Sequence, residues 1–417
     1  MATEQKFKQT EIGLIPEDWD VKELQEEVDV NMGQSPKSKF YNESGEGYLF
    51  MQGVRTFGEK YPTFDTYTTQ ITKEAKAGSV LFSVRAPVGE VNITEKNLCI
   101  GRGLSALNMK NGNNEFLYYL LKKFKTQILN FETGSVFGAI NGTQIRGLKL
   151  PFPEETEQKA IAKILSDFDS KIELLQKQNK TLETVAQALF KHWFVDFEFP
   201  NEEGKPYKSS GGEMVFNGKL GKEIPKGWEV KSLDKIADYL NGLALQKYPP
   251  KGEVYLPVIK IKELRQGITT QSDKANSNID KNYIINNGDI LFSWSGSLMV
   301  VIWGGGKGAL NQHLFKVTSE NFEKWFYYYW TKHHLEKFIG IAKDKATTMG
   351  HIKRKHLAES KVLVPNRGIM EKMNKIMEPV IDKILNNKIG IIRFQKTRDL
   401  LLPKLMSGKI RVPVEVE

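Results

Sequence analysis

The stretch IPEDWDVKEL (residues 15–24) returns later in the chain as IPKGWEVKSL (224–233). Both copies follow the pattern Ile-Pro-x-x-Trp-x-Val-Lys-x-Leu, so Trp19 corresponds to Trp228. One short match of this kind is compatible with chance, whereas a duplicated domain requires that the residues after each copy match as well. The segments that follow the two copies therefore decide the fold.

The agreement continues through four further pairs of segments, in the same order in both halves. They are GYLFMQGVR (47–55) with VYLPVIKIK (254–262), AGSVLFSV (77–84) with NGDILFSW (287–294), EFLYYLLKK (115–123) with WFYYYWTKH (325–333), and FGAI (137–140) with MGHI (349–352). A repeat that spans about half the chain is far longer than the roughly 20–50-residue period of solenoid proteins. The sequence therefore predicts two copies of one globular domain.

Short apolar runs alternate with Gly- and Asn-containing breaks inside each copy. Runs such as YLFMQGV and DILFSW have the length of strands, and aromatic stretches of helical length accompany them. The fold class expected for each copy is α/β (α+β). The changes from strand-like runs to helical spacing predict four regions. They are a first globular domain at 1–152, a central helical region at 153–210, a second globular domain at 211–364 and a C-terminal helical region at 365–417.

A heptad seam runs from Ile161 to Trp193, with apolar positions alternately four and three residues apart, and a matching seam runs from Met373 to Leu405. This spacing is typical of long coiled-coil helices. We expect the two helices to pair antiparallel, because parallel pairing would bury each seam asparagine against an apolar side chain. The pairs predicted to meet are Asn179 with Asn387 and Leu175 with Ile391. The fold expected for the whole chain is two globular domains separated by a long antiparallel two-helix coiled coil, with a pseudo-twofold internal repeat.

The same antiparallel pairing sets Phe168 against Arg398. The guanidinium of Arg398 is expected either to stack on the ring or to reach solvent. The neighbouring Asp169-Ser170-Lys171 matches half of a nuclease motif, but no Pro-Asp pair precedes it. We therefore interpret Asp169 as part of a solvated helix face.

The charge balance of the chain indicates the class of partner. The 417 residues carry a formal net charge of +10, with a pI near 9.2, which favours nucleic acid before a membrane. Cys99 is the only cysteine, so a disulfide framework and a cysteine-based metal site are excluded. No apolar run has the length of a membrane span and no signal-peptide pattern opens the sequence, so a cytoplasmic protein is expected.

Several segments of the chain, taken in order, resemble the DNA specificity (S) subunit of type I restriction–modification enzymes. They are IGLIPEDW (12–19), ALFKHWFVDFEFP (188–200), YKSSGGEM (207–214), LGKEIPKGWEV (220–230) and LLPKLMSGKI (401–410). The layout of recognition domain, helix, recognition domain and helix agrees with that family over essentially the whole length. The resemblance implies a non-catalytic subunit in which each globular domain reads one half of a bipartite DNA site and the paired helices act as a spacer.

The resemblance also implies the partners. Double-stranded DNA would be bound together with two methyltransferase (M) subunits, and two motor-nuclease (R) subunits would join for restriction. The methyl donor, ATP and Mg would then belong to those partners, and no cofactor is expected in this chain. The seam from Ile161 to Trp193 would cover about 50 Å, enough to set two readers about one DNA turn apart, ~34–36 Å.

DNA contact requires cations for phosphates and a few polar side chains for base edges. The repeat alignment places Arg55 on Lys262, Arg85 on Ser295, and Arg102–Gly103 on Gln312–His313. Polar side chains that differ at matched positions are what two different half-site sequences require. The residues predicted to contact DNA are Arg55, Arg85, Arg102, Lys260, Lys262, Arg265, Gln312, His313, Lys353 and Arg354.

Two other functions compete with this interpretation. A stand-alone methyltransferase or nuclease would need an Asn-Pro-Pro-aromatic run, a GxGxxG loop or a nuclease motif, and the sequence contains none of them. The Gly-rich WGGGKGAL (303–310) is interpreted as a hairpin loop between strands, and the histidines lack the spacing of a metal site. The other alternative is an orphan bipartite DNA-binding scaffold without a restriction partner.

Overall fold

Two compact units make up the fold. A computed structural model describes residues 6–130, 138–343 and 350–413. Unit 1 consists of Met1–Ser170 with Gln395–Glu417, and unit 2 of Lys171–Phe394. Each unit thus combines one copy of the repeat with parts of two long helices. The predicted domain boundaries stay a prediction.

The first copy of the repeat lies in unit 1 and consists of short strands and four-to-seventeen-residue helices. Its elements are β1 (Phe7–Thr10), β2 (Gly13–Pro16), β3 (Asp20–Glu23), α1 (Leu24–Glu27), β4 (Val28–Met32), β5 (Tyr41–Asn42), β6 (Tyr48–Met51), β7 (Tyr67–Thr68), β8 (Glu74–Ala75), β9 (Val80–Ser83), β10 (Val91–Ile93), β11 (Leu98–Ile100), β12 (Leu104–Met109), α2 (Asn114–Asn130), α3 (Gly142–Arg146) and β13 (Lys149–Phe152), followed by the long helix α4 (Glu155–Phe194).

The second copy lies in unit 2. Its elements are β14 (Met214–Asn217), β15 (Lys222–Pro225), β16 (Glu229–Ser232), α5 (Leu233–Ile236), β17 (Asp238–Asn241), β18 (Tyr255–Ile259), α6 (Ile261–Gln266), β19 (Lys274–Asn276), β20 (Ile284–Ile285), β21 (Ile290–Ser293), β22 (Met299–Ile302), β23 (Gly308–Leu310), β24 (Leu314–Thr318), α7 (Lys324–His333), α8 (Leu335–Lys343), α9 (Arg354–Glu359) and β25 (Lys361–Val364), followed by the long helix α10 (Arg367–Leu405).

The two copies have the same sheet topology. The antiparallel sheet β4-β12-β9-β10 of the first corresponds to β17-β24-β21-β22 of the second. The second sheet contains β7-β6-β11-β8 in one copy and β19-β18-β23-β20 in the other, with a parallel pair at its centre in both. The mixed α/β fold and the duplication predicted from the sequence are therefore confirmed.

The aromatic stretches form helices that are covered on all sides. Residues 116–121 of α2 are buried without a break, as are residues 325–331 of α7. A helix that is apolar all round is stable only inside a core, because no face can be left to water. These two helices therefore supply the centres of the two main hydrophobic clusters.

The strand register corrects the sequence alignment by one residue at β6. Met51 pairs with Ile100 in the first copy, and the matching parallel pair in the second copy is Ile259 with Leu310. Met51 therefore corresponds to Ile259, and Arg55, four residues later, corresponds to Glu263. The predicted match of Arg55 with Lys262 is wrong. The register is set by the ladder hydrogen bonds, which the similarity of GYLF and VYLP cannot specify.

The Gly-rich segment 303–310 is not a hairpin loop. It leaves β22, which belongs to one sheet, and enters β23, which belongs to another. The indole Nε1 of Trp303 donates to the Gly306 carbonyl at 2.7 Å and closes the turn. The segment is therefore a crossover between sheets.

The two long helices run antiparallel in each unit, taken separately. In unit 2, Asn179 of α4 contacts Asn387 of α10, while Leu175, one turn earlier, lies beside Gly390. In unit 1, Asp169 contacts Arg398, and Glu157, earlier in α4, contacts Arg411, which follows α10. Among the described helices, none is long and apolar enough to cross a membrane.

Candidate nucleic-acid interface

In unit 1, three chain segments meet where β9 ends. The backbone N–H of Val84 donates to the Gly103 carbonyl at 2.9 Å, and Ile140 donates to the Val84 carbonyl at 3.0 Å. An isolated bridge pairs Arg85 with Ala139. This backbone arrangement leaves the side chains of Arg85 and Arg102 exposed on one edge of the domain.

The same three segments meet in unit 2. The backbone N–H of Ile352 donates to the Trp294 carbonyl at 3.0 Å, and the backbone N–H of Trp294 donates to the His313 carbonyl at the longer distance of 3.4 Å. An isolated backbone bridge pairs Ser295 with His351. Each of these residues occupies the place of its counterpart in unit 1. Four predicted DNA residues, Arg85 and Arg102 in unit 1 and Gln312 and His313 in unit 2, thus lie at one equivalent place in the two copies.

The chemistry of this place differs between the copies. Unit 1 presents two guanidinium groups, whereas unit 2 presents an imidazole and an amide. His313 Nδ1 lies 3.0 Å from the Ser295 hydroxyl, and Gln312 Nε2 lies 3.4 Å from His313 Nε2. Trp294 donates from Nε1 to Asn241 Oδ1 at 2.9 Å, and its ring centre lies 6.0 Å from that of His313. Both groups of side chains suit base edges in the major groove, each for a different pattern.

Two glycines hold these turns in place, and the sequence analysis missed them. Gly33 donates to the Leu104 carbonyl and Gly242 to the Leu314 carbonyl. A side chain at Gly33 would lie 2.2 Å from the Gly101 carbonyl oxygen, and one at Gly242 would lie 2.2 Å from the oxygen of Asn311. Only glycine permits this approach. The sequence signal that could have identified them is the glycine that directly follows Met32 in the first copy and Asn241 in the second.

Arg55 and Lys260 lie on the segments that follow β6 and β18. The guanidinium of Arg55 donates to both oxygens of Asp65 at 2.7 Å, and this pairing lowers the pKa of the Asp65 carboxyl. The ammonium of Lys260 pairs with Asp273. Lys262 and Arg265 are exposed on α6. Both paired cations are at the surface, so a DNA phosphate can compete for them.

Arg354 has a structural contact. Its Nη2 donates to the Tyr239 carbonyl at 3.1 Å, and its guanidinium lies 5.8 Å from the ring centre of Phe315. Arg146 of the first copy donates in the same way to the Val30 carbonyl, which is the equivalent atom. A contact made in both copies favours a role in the fold. Lys353 is exposed, and a DNA role for either residue stays a prediction.

The predicted asparagine pair lies in unit 2. Asn387 Nδ2 donates to Asn179 Oδ1 at 3.0 Å, and Asn179 Nδ2 donates to the Ile384 carbonyl at 3.3 Å. Both side chains are buried. Leu175 lies beside Gly390, next to the half-buried Ile391 with which it was paired from sequence.

Two interpretations of the helices are wrong. Asp169, assigned to a solvated face, is 4% exposed, and Arg398, expected to stack on Phe168 or reach solvent, is 7% exposed, which rules out the second of these alternatives and leaves the stacking a prediction. Arg398 Nη1 donates to Asp169 Oδ1 at 2.6 Å, and Asp169 also accepts from the hydroxyl of Tyr119. The charges are buried because they are paired with each other, which heptad spacing alone could not reveal.

Within the described residues, no group of three or more His, Cys, Asp or Glu side chains is arranged to hold a metal ion.

Comparison with known proteins places the chain in a family. Residues 16–184 and 225–393 both match the model of the type I restriction modification DNA specificity domain. The chain therefore belongs to the specificity subunits of type I restriction–modification systems, which are DNA-recognition subunits without catalytic activity.

Individual relatives agree with this family. The chain is 32% identical to the type I restriction enzyme MjaIX specificity subunit of Methanocaldococcus jannaschii, over 98% of this chain and 97% of that one. It is 25% identical to the HindI specificity subunit of Haemophilus influenzae, over 71% and 77% of the two chains. The crystal structure of an S subunit from M. genitalium has the same fold, with a TM-score of 0.58 at 18% identity, over 97% of this chain and 99% of that one.

Proposed function

We propose that this chain reads a two-part DNA target, with one specified block recognised by each repeat and an unspecified gap between the blocks. The observation that carries the proposal is the matched place at Arg85–Arg102 and Ser295–His313, where one backbone arrangement presents different side chains. Two copies of one recognition domain that present different polar side chains at the same place are suited to two different base sequences. A duplicated structural domain has no need of such a difference.

The helices support the spacer part of the proposal. At ~1.5 Å per residue, the 40 residues of α4 span about 60 Å. This length exceeds one turn of DNA, about 34–36 Å. The length of α4 and α10 would then set the length of the gap.

We further propose that two methyltransferase subunits dock on the helices, one for each repeat, and that two motor-nuclease subunits join for restriction. The methyl donor, ATP and Mg would be bound by those partners. A cytoplasmic location belongs to the same proposal. An orphan scaffold would differ in one respect: it would bind the two-part site without recruiting a methyltransferase.

The test uses the full chain co-expressed with its methyltransferase subunits. Binding to a duplex with both blocks is compared between the wild type, Arg102→Ala and Gln312→Ala. Arg102→Ala should relax discrimination in one block and Gln312→Ala in the other, each by about 1–3 kcal/mol. Relaxation of the same block by both variants would contradict the proposal, and failure of any methyltransferase to co-purify would favour the orphan scaffold.

A further inference from the structure

One segment of unit 1 reaches from the candidate DNA interface to the long helices. This segment, residues 52–66, is called the reading loop here. At one end Gln52 lies against the turn at Gly103, whose added side chain would meet the Gln52 carbonyl oxygen at 2.2 Å. Arg55 follows in a short 3-10 helix at Val54–Thr56, and Glu59 and Lys60 come four and five residues after it.

Glu59 and Lys60 tie the reading loop to both helices within unit 1. Arg398 of α10 donates from Nη1 to Glu59 Oε1 at 2.9 Å and, from the same atom, to Asp169 Oδ1 of α4 at 2.6 Å. The Lys60 ammonium lies 2.9 Å from Glu115 Oε2 and 3.6 Å from Asp169 Oδ2. We call these five residues the ionic cluster.

Electrostatics keeps the ionic cluster charged. Lys60 is 6% exposed, and although burial opposes its charged form, the carboxylates of Glu115 and Asp169 outweigh burial and raise its pKa. Burial likewise opposes the charge of Arg398, but its bonds to Asp169 and Glu59 raise its pKa. All the cations of the cluster therefore remain charged near neutral pH.

Unit 2 shows that charges at the two helix positions of Asp169 and Arg398 are not required to hold a domain on the helices. The positions that correspond to Asp169 and Arg398 in the other copy of the helix are Ile381 and Ala186, and both are buried in the apolar core of unit 2. Apolar residues at buried ion-pair positions are commonly as stabilising as the ions. The ionic cluster therefore adds something other than attachment, and directional bonds are what ions add to packing.

The matching segment of unit 2, residues 260–273, is held within its own domain. Glu263 accepts from the Lys260 N–H at 3.1 Å and from the Ser272 hydroxyl at 3.0 Å. The charged contact of that domain with α4 comes from α7 instead, where Tyr328 and Lys332 bond to Glu183. Helix anchoring of the reading segment is thus a property of unit 1.

We propose that the ionic cluster positions the reading loop, so that recognition of the DNA block read by unit 1 depends on the helices while recognition of the other block does not. Glu59, Lys60, Asp169 and Arg398 are positioning residues for Arg55 and the Arg102 turn. This inference rests on the proposed function. Because coupling between two sites is reciprocal, binding of that DNA block also stabilises the cluster.

The test variant is Glu59→Gln in the full chain with its methyltransferase subunits. Of the two carboxylates of the ionic cluster that accept from Arg398, Glu59 is the more accessible, with its side chain 43% exposed against 5% for Asp169, so the variant should fold. Affinity is measured for three duplexes: both blocks intact, the unit 1 block scrambled, and the unit 2 block scrambled. The unit 1 block is the one whose discrimination Arg102→Ala relaxes.

Glu59→Gln should weaken binding to the intact duplex by about threefold to tenfold and leave binding to the duplex with a scrambled unit 1 block unchanged. The matched control is Glu11→Gln, which removes an exposed ion pair with Lys149 in the same unit and should change none of the three affinities. Glu183→Gln, in unit 2, should not alter discrimination in the unit 1 block.

A second measurement separates positioning from loss of stability. Amide exchange of the free chain should accelerate at Thr63, whose N–H donates to Thr56 within the reading loop, while the urea midpoint stays within error of the wild type. Equal weakening on all three duplexes, or none, would overturn the inference while leaving the proposed function intact. If Arg102→Ala relaxes neither block, the proposed function fails and the inference fails with it.

Discussion

The repeated motif is held by different chemistry in the two units. In unit 1, Trp19 donates from Nε1 to Glu157 Oε2 at 3.0 Å, and Arg411 bonds to both Glu157 and Asp18. In unit 2, Trp228 has its ring centre 5.2 Å from the stacked ring of Phe199. Arg411 and Phe199 hold matched positions after the two long helices.

This comparison separates what the fold needs from what each copy has acquired. Both tryptophans are buried, so burial of the ring is the shared requirement. The side chain at the matched position changes from Arg411, which bonds to the same carboxylate as Trp19, to Phe199, which stacks on Trp228. The same exchange occurs where Asp169 and Arg398 of unit 1 correspond to Ile381 and Ala186 of unit 2. Unit 1 should therefore respond to charge, pH and salt where unit 2 responds to packing.

The largest effect is expected for Asp169→Asn. The change leaves Arg398 and Lys60 buried beside a neutral amide and should lower the free energy of unfolding of unit 1 by about 3–5 kcal/mol. The matched change in unit 2, Ile381→Val, should cost about 0.5–1.5 kcal/mol. Urea unfolding combined with amide exchange resolved by unit provides the measurement. Similar costs for both variants would remove the contrast between the units.

Asn179→Leu should cost about 1–3 kcal/mol, because the buried Asn387 amide loses its bond to Asn179 and keeps only the longer one to Gln178 Oε1, at 3.3 Å. The double variant Asn179→Leu with Asn387→Leu should recover stability and lose the polar bond that fixes the register. Thermal unfolding and a disulfide scan of the helix register distinguish these outcomes. A double variant as unstable as the single one would show that the asparagine pair does not act as a unit.

Acid should act on unit 1 first. Hydrogen bonding to Arg411 lowers the pKa of the Asp18 carboxyl. A carboxyl group whose pKa is lowered by folding stabilises the protein above its unfolded pKa, about 3.9, and that contribution is lost as the pH falls through the lower folded value. Between pH 5 and 2, the protection of amides against exchange, relative to their intrinsic rates, should fall around Trp19 before it falls around Trp228. Arg411→Met, which abolishes the pairing, should reduce this difference, and an unchanged difference would contradict its cause.

The smallest effect is expected at the start of α9. Lys353→Ala and Lys355→Ala should each reduce the salt dependence of DNA binding by about one unit of the logarithmic slope, equally for all sequences. Arg354→Ala should instead destabilise unit 2, as Arg146→Ala should destabilise unit 1, because both side chains bond to equivalent carbonyls. A change in sequence discrimination by either lysine variant would show that this segment reads bases.

The sequence predicted the features that are local patterns and missed those that depend on contacts between distant parts of the chain. The Ile-Pro-x-x-Trp motif and the heptad seams were sufficient for the duplication, because both are local patterns that occur twice. Asp169 was misread because its partners, Lys60 and Arg398, lie far away in the sequence and have no charged counterpart in the other copy. Arg55 was misaligned by one residue because strand register depends on the hydrogen-bonded neighbour. Gly33 and Gly242 were missed because the close approach that requires them exists only in the folded chain.

The central claim, one reader per block, is tested most directly by sequencing the methylated sites in a host that carries this chain with its methyltransferase subunits. The account predicts methylation at a target of two short specified blocks around a gap of fixed length. It also predicts that Gln312→Ala alters the specified bases in one block and leaves the other block and the gap unchanged. A single uninterrupted specified block, or a Gln312→Ala change that affects both blocks, would contradict it.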